Sequence, residues 1–137
     1  MSAASNYLEN KVLDHVIGGT AYTAPTNLYL ALFTNDSGNA ATNLEAGTLT
    51  DEVSTSSTGY VRKAVSFGAA SSGSSSTDAT VTFDAATANW GTITHVAVMD
   101  ASSSGNVLFW GAVTTSKTIE SGDTFQVSSG NLTVSLA

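Results

Sequence analysis

Two histidines are the side chains in this sequence best suited to acid–base chemistry. His15 lies in a segment of helical pattern, and His95 lies in a segment with the pattern of a strand. A catalytic triad requires a specific geometry of serine, histidine and carboxylate, and no Gly-x-Ser-x-Gly turn, phosphate-binding loop or dinucleotide-binding motif accompanies the histidines. We therefore expect His15 at the surface, His95 packed in a strand, and no enzymatic activity.

Four carboxylates lie in residues 35–59 without a basic neighbour: Asp36, Glu45, Asp51 and Glu52. Oxygen-rich loops are where proteins bind calcium, although this spacing does not match an EF-hand. We expect solvated acidic side chains, with calcium binding as the alternative. The sequence has no cysteine, which excludes disulfides, thiolate zinc sites and thiol nucleophiles. No cofactor is expected.

The two tryptophans, Trp90 and Trp110, are candidates for binding a carbohydrate. Together with Phe109 they could form an aromatic face on which sugar rings stack. The simpler interpretation, which we favour, is a β-sandwich core with tryptophans near its rim, since aromatic side chains dominate such cores.

Length and charge limit the remaining functions. A chain of 137 residues suits one domain, and its net charge of −7 comes from eleven acidic and four basic residues. Nucleic-acid binding depends on lysine and arginine neutralising phosphates, so a nucleic-acid partner and an anionic membrane are not expected. No apolar run reaches the ~18–20 residues that would span a bilayer, and we expect a soluble chain without a secretion signal.

One helix is predicted, over residues 5–17. Ser5 or Asn6 can cap its start, and apolar residues such as Leu8, Val12 and Val16 recur at helical spacing. Two glycines end the pattern. Residues 1–19 are therefore expected to form an N-terminal helical arm.

The remainder, residues 20–137, predicts a single antiparallel β-sandwich or jelly-roll-like domain, and the chain is all-β in class. Short strands separated by turn-forming residues are expected at 27–33, 60–67, 80–83, 92–99, 107–112, 117–119, 125–127 and 132–136. The first is apolar on both faces, which predicts a strand covered on both sides. In the second we expect Val61 inward and Arg62 outward, and in the last we expect Leu136 inward. Residues 35–59 are expected to be a long loop, and the Gly/Ser-rich residues 68–78 a flexible hairpin tip.

The sequence resembles a family of small bacteriophage virion proteins that are often labelled tail-fibre proteins; members of the same general type also serve as capsid cement or decoration proteins. The resemblance rests on segments in a fixed order: 7–14 (YLENKVLD), 22–26 (YTAPT), 28–34 (LYLALFT), 59–65 (GYVRKAV), 67–70 (FGAA), 88–92 (ANWGT), 94–96 (THV), 115–119 (TSKTI) and 122–125 (GDTF). The chain departs from the family pattern between residues 36 and 59, where the connection is longer.

The resemblance implies a non-enzymatic structural protein of the phage particle, made in the host cytoplasm. We favour a capsid decoration or cement protein that binds the outer surface of the head, with the major capsid protein and copies of itself as partners in a homo-oligomer. The alternatives are a tail fibre or tail adaptor subunit bound to other tail proteins, and a carbohydrate-binding module. Candidate subunit-contact residues lie on the helix and in the long loop: Tyr7, Leu8, Val12, Leu44, Leu49 and Val53.

Overall fold

A five-stranded antiparallel sheet forms the centre of the computed structural model, which describes residues 3–136. In spatial order its strands are β1 (Ala3–Ala4), β7 (Val107–Ile119), β6 (Gly91–Met99), β2 (Leu28–Phe33) and β3 (Lys63–Val65). Two further pairs of strands form small ribbons: β4 (Ser74–Ser76) with β9 (Thr133–Ser135), and β5 (Val81–Thr82) with β8 (Gln126–Val127). The helices are α1 (Asn6–Val16) and α2 (Ala40–Glu45). The predicted all-β class is confirmed.

Strand β2 has the two covered faces that its sequence predicts. Leu30 and Leu32 pack into one core cluster with side chains from both ribbons, such as Val81 and Val134. On the opposite face Phe33 packs into a second cluster, beneath α2. The sheet is therefore sandwiched between the ribbons on one face and a helix on the other. The covering helix is α2, which lies in the segment expected to be a loop.

The expectation of a long loop at 35–59 is wrong for part of that segment. The side-chain oxygen of Asn35 accepts the backbone N–H of Ala40 at 2.9 Å and so supports the start of α2. Leu44, near the end of this helix, is 1% exposed against the sheet. The prediction failed because a six-residue helix with one deeply buried apolar residue has too little periodicity to be recognised.

The Gly/Ser-rich segment 68–78 also contains regular structure. Its residues Ser74–Ser76 form β4, in which Ser75 pairs with Val134 of β9. Composition alone predicted a flexible tip because serine has no strong preference for strands; here the partner strand supplies the order.

The N-terminal residues join the sheet instead of forming only a helical arm. Ala3 pairs with Trp110 at the edge of β7. Ser5 is buried, and its hydroxyl oxygen accepts the backbone N–H of Leu8 at 3.3 Å, which caps α1 as expected. Leu8 then packs against Leu108. Met1 and Ser2, which the predicted arm includes, lie outside the described residues.

Strand β7 is longer than predicted. It runs without interruption for 13 residues, where the sequence predicted two strands at 107–112 and 117–119. Its pairing with β6 shifts register between Ile93 and His95 and again between Val98 and Met99. The intervening residues of β7 are mostly exposed serine and threonine, so they lack the inward apolar residues by which a strand is recognised.

Candidate subunit-contact surfaces

Three of the six predicted contact residues lie in the core of the domain itself. Leu8, Leu44 and Val53 are 7%, 1% and 4% exposed. Tyr7, Val12 and Leu49 are half-buried and pack against the same clusters. For Tyr7, Val12 and Leu49, contact with another subunit stays a prediction. The side chains of the buried three are instead covered by contacts within their own chain. The most exposed large apolar side chains among residues 3–136 lie at other positions.

Among residues 3–136, the largest group of exposed large apolar side chains lies at the end of α1. Leu13, Val16 and Ile17 are 54%, 71% and 79% exposed. Leu13 and Val16 lie three residues apart on one side of the helix, and Ile17 follows as its C-terminal capping residue. We call these three residues the α1 apolar tip. The sequence pattern places Val16 in one apolar stripe with Leu8 and Val12, and in the structure only Leu8 and Val12 of that stripe meet the sheet.

A groove with an apolar lining is formed by residues of β4 and β9 together with Phe109 of β7. Its volume is about 220 Å³, and its apolar wall is formed by Ala70, Phe109, Val134 and Leu136. We call it the β7–β9 groove. Leu136 is 52% exposed at this groove, which corrects the expectation that it points into the core. Leu136 therefore presents apolar surface at the groove.

The acidic side chains of 35–59 are mostly bonded within the fold, contrary to the expectation that they are solvated. Asp51 is buried, and its carboxylate accepts the backbone N–H of Ser37 at 3.0 Å and the hydroxyl of Ser37 at 2.6 Å. Glu45 accepts the indole N–H of Trp110 at 2.7 Å. Among residues 3–136, no group of three histidine or acidic side chains could hold a metal ion.

Arg62 is buried, although its sequence pattern predicted an outward orientation. Its Nε and Nη2 donate to the two carboxylate oxygens of Glu52, each at 2.7 Å. Its Nη1 donates to the backbone carbonyls of Ala101 and Ser104, each at 2.8 Å. Burial opposes the charge, but the bonds and charge of Glu52 outweigh it and raise the pKa of Arg62. The alternation rule failed because burial of a charged residue is tolerated when a carboxylate and carbonyls satisfy its donors.

Tyr60 extends this network into the core. Its hydroxyl donates to Glu52 at 2.9 Å and accepts the backbone N–H of Leu32 at 3.1 Å. Burial, and then the negative charge of Glu52, raise the pKa of Tyr60 well above its ordinary value. The ring packs edge-on against Trp90 with centroids 5.5 Å apart. The phenol is therefore a neutral structural group at any ordinary pH.

The tryptophans do not form one sugar-stacking face, so the carbohydrate-binding alternative loses its basis. Trp90 is 5% exposed, and its indole N–H donates to the carbonyl of Thr58 at 2.8 Å. It packs in the cluster beneath the ribbons, whereas Trp110 packs in the cluster beneath α2. The favoured interpretation, tryptophans packed in the core and at its rim, agrees with this arrangement.

Both histidines have structural positions. His15 is exposed, and its Nδ1 accepts the backbone N–H of Tyr22 at 3.0 Å. His95 is half-buried in β6, and its Nδ1 lies 2.8 Å from the hydroxyl oxygen of Thr94. Burial lowers the pKa of His95 more than the negative charge of Asp51 raises it. Within residues 3–136, neither ring is hydrogen-bonded to a serine or a carboxylate.

Comparison with known proteins gives the family of the chain. No curated protein matches the sequence. The sequence model of the family described as Podophage GP4 fiber I protein gp80 matches residues 3–135, which is almost the whole chain. No helix within residues 3–136 has the length and apolar character needed to cross a membrane. The resemblance to small phage virion proteins is thus confirmed, and the chain belongs to the family of Podophage GP4 fiber I protein gp80, a family of phage structural fibre proteins.

Proposed function

We propose that this chain is a non-enzymatic structural subunit of a phage fibre, bound in the particle by contacts with other tail proteins and with copies of itself. The observation that carries the proposal is the family match, which extends from residue 3 to residue 135 and so over nearly all of the described residues. In this proposal the chain is made in the host cytoplasm and acts in the assembled particle.

The roles of the reactive side chains support a structural function. Arg62 and Glu52 bond to each other, Glu45 holds Trp110, and Asp51 holds the turn at Ser37. These groups would be the first candidates for chemistry in a chain with so few charges. Each instead stabilises the fold, and an interacting protein needs a stable surface more than a reactive group.

The architecture favours an adaptor or a globular unit of the fibre over its shaft. Fibre shafts are built from repeats, and no repeat is visible in this sequence. Residues 3–136 instead form a five-stranded sheet that is covered on one face by two ribbons and on the other by α2. A globular unit joins its neighbours through surface patches, and the α1 apolar tip and the β7–β9 groove are the patches that we assign to this role.

A capsid decoration protein is the second candidate, with the major capsid protein as its partner. The same globular architecture without a repeat favours it, because a decoration protein requires no shaft. The two candidates differ in where the chain sits, at the tail or over the surface of the head.

Electron microscopy of purified particles with a gold-labelled antibody against the chain tests the proposal. We expect gold at the tail. Gold spread over the head would contradict a fibre subunit and support decoration. Antibody first absorbed with the purified chain is the control, and absence of the chain from particles by mass spectrometry would contradict both candidates.

A further inference from the structure

We propose that the hydrogen bond from the backbone of Tyr22 to the ring of His15 is a pH-sensitive switch. At neutral pH it holds residues 18–27, which connect α1 to β2, against the helix, and in mild acid it is lost. We call residues 18–27 the α1–β2 loop. The proposal concerns a movement within one chain, so it goes beyond the proposed function and does not depend on it.

The chemistry of the switch follows from the direction of the bond. Nδ1 of His15 accepts the backbone N–H of Tyr22 at 3.0 Å. A ring nitrogen of histidine accepts a hydrogen bond only while it carries no proton. The neutral ring of His15 therefore carries its proton on Nε2. A second proton, on Nδ1, removes the acceptor and places two N–H groups against each other.

The bond matters because the α1–β2 loop has few other attachments. Near the start of the loop, the backbone N–H of Thr20 donates to the carbonyl of Asp14 at 3.0 Å. Further along, the bond to His15 is the one hydrogen bond that residues 21–26 make within the described part of the chain. Protonation of His15 therefore removes the hydrogen bond that fixes the middle of the loop.

The second attachment of the loop is the side chain of Tyr22. It is half-buried and packs against the cluster that contains Leu8 and Leu108. Burial, and then the charges of Tyr7 and Asp100, raise the pKa of Tyr22 above its ordinary value. The phenol is therefore neutral in mild acid, and this attachment does not itself respond to acidification.

His15 is the group of this contact that changes charge near neutral pH. Tyr22 is the one titratable residue of the α1–β2 loop. On α1 the charged residues nearest in sequence to His15 are Lys11 and Asp14, and Asp100 lies near Tyr22. Aspartate and lysine ordinarily titrate far from neutral pH, whereas histidine titrates close to it.

Amide hydrogen exchange of Tyr22, followed by NMR on the full chain between about pH 5.5 and 7.5, tests the switch. After correction for the intrinsic pH dependence of exchange, the protection of this amide should fall by about fivefold on acidification, as expected when one hydrogen bond is lost. The fall should share its midpoint with the titration of the His15 ring in the same sample. The amide of Phe83, which donates to the carbonyl of Phe125 at 2.9 Å, is the reference for changes in the whole domain.

The chain has two histidines, so two variants separate their effects. His15→Gln should abolish the fall in protection at Tyr22, because glutamine does not titrate. His95→Gln is the matched control and should retain it. Unchanged protection of Tyr22 in the wild type, or a fall that persists in His15→Gln, would overturn the proposal.

The nitrogen chemical shifts of the His15 ring give a test that needs no variant. At neutral pH they should show the tautomer that is protonated on Nε2, and a ring protonated on Nδ1 would contradict the switch. The outcome is independent of the test of the proposed function. Gold over the head would contradict the fibre subunit and leave the switch standing, whereas a Tyr22 amide that ignores pH would refute the switch wherever the gold lies.

Discussion

The guanidinium of Arg62 and the carboxylate of Glu52 face each other through two hydrogen bonds of 2.7 Å. The side chain of Arg62 is 2% exposed and that of Glu52 is 17% exposed, so the pair is screened little by water. The same guanidinium holds the turn between β6 and β7 through Ala101 and Ser104. Arg62 therefore connects its own strand region to Glu52 and to the turn at Ala101–Ser104.

Replacing Arg62 by methionine should lower the free energy of unfolding by about 3 kcal/mol, because it leaves the carboxylate of Glu52 without its counter-charge. The measurement is urea denaturation at neutral pH. Lys63→Met is the matched control: Lys63 pairs with Asp84 at 3.0 Å, but the two side chains are 28% and 65% exposed. Exposed pairs contribute only ~0–1 kcal/mol. Equal losses in the two variants would show that burial of the Arg62 pair has no special effect.

Replacing Tyr60 by phenylalanine should cost ~1–3 kcal/mol of unfolding free energy, since the buried amide of Leu32 loses the acceptor that the hydroxyl provides. Thermal and urea denaturation measure the loss. Tyr29→Phe, at a half-buried tyrosine, is the comparison and should have the smaller effect. Indistinguishable stabilities would mean that the hydroxyl of Tyr60 does not support β2.

The regular parts of this fold could be predicted from the sequence, and the pairings between distant segments could not. The helix at Asn6–Val16 and the strands around Leu28–Phe33 and Gly91–Met99 have clear periodicity and capping residues. The position of Arg62 depends on Glu52, and no local pattern links the two. The helix α2 and strand β4 likewise owe their order to the elements on which they pack.

Replacing Leu44 by alanine tests whether α2 belongs to the core. The side chain is 1% exposed between α2 and the sheet, so the expected loss is ~2–5 kcal/mol. Leu49→Ala, at a half-buried position in the same segment, should cost less. If Leu44→Ala unfolded at the same urea concentration as the wild type, residues 35–59 would be a loop of little structural importance.

The stability of the domain should rise with pH through about 6.5, the ordinary pKa of histidine. Burial lowers the pKa of His95 in the folded state, so below ~6.5 the unfolded chain binds a proton more readily than the folded chain does. Unfolding free energies measured between about pH 5.5 and 7.5 check this sign. His95→Gln should remove this contribution, and His15→Gln should keep it. A slope that disappears only with His15→Gln would contradict the assignment.

The candidate contact surfaces could be predicted only in part from the sequence. The helical stripe correctly identified an apolar face, but its division into a covered part at Leu8 and an exposed part at Val16 and Ile17 depends on where the sheet ends. The groove at Phe109 and Leu136 joins residues far apart along the chain, so spacing alone offered no signal for it.

The most direct test of a fibre subunit is to separate purified particles into heads and tails and to count this chain in each fraction by quantitative mass spectrometry. We predict that the chain stays with the tails, in a fixed ratio to the other tail proteins. Recovery with the heads, in proportion to the major capsid protein, would contradict the account.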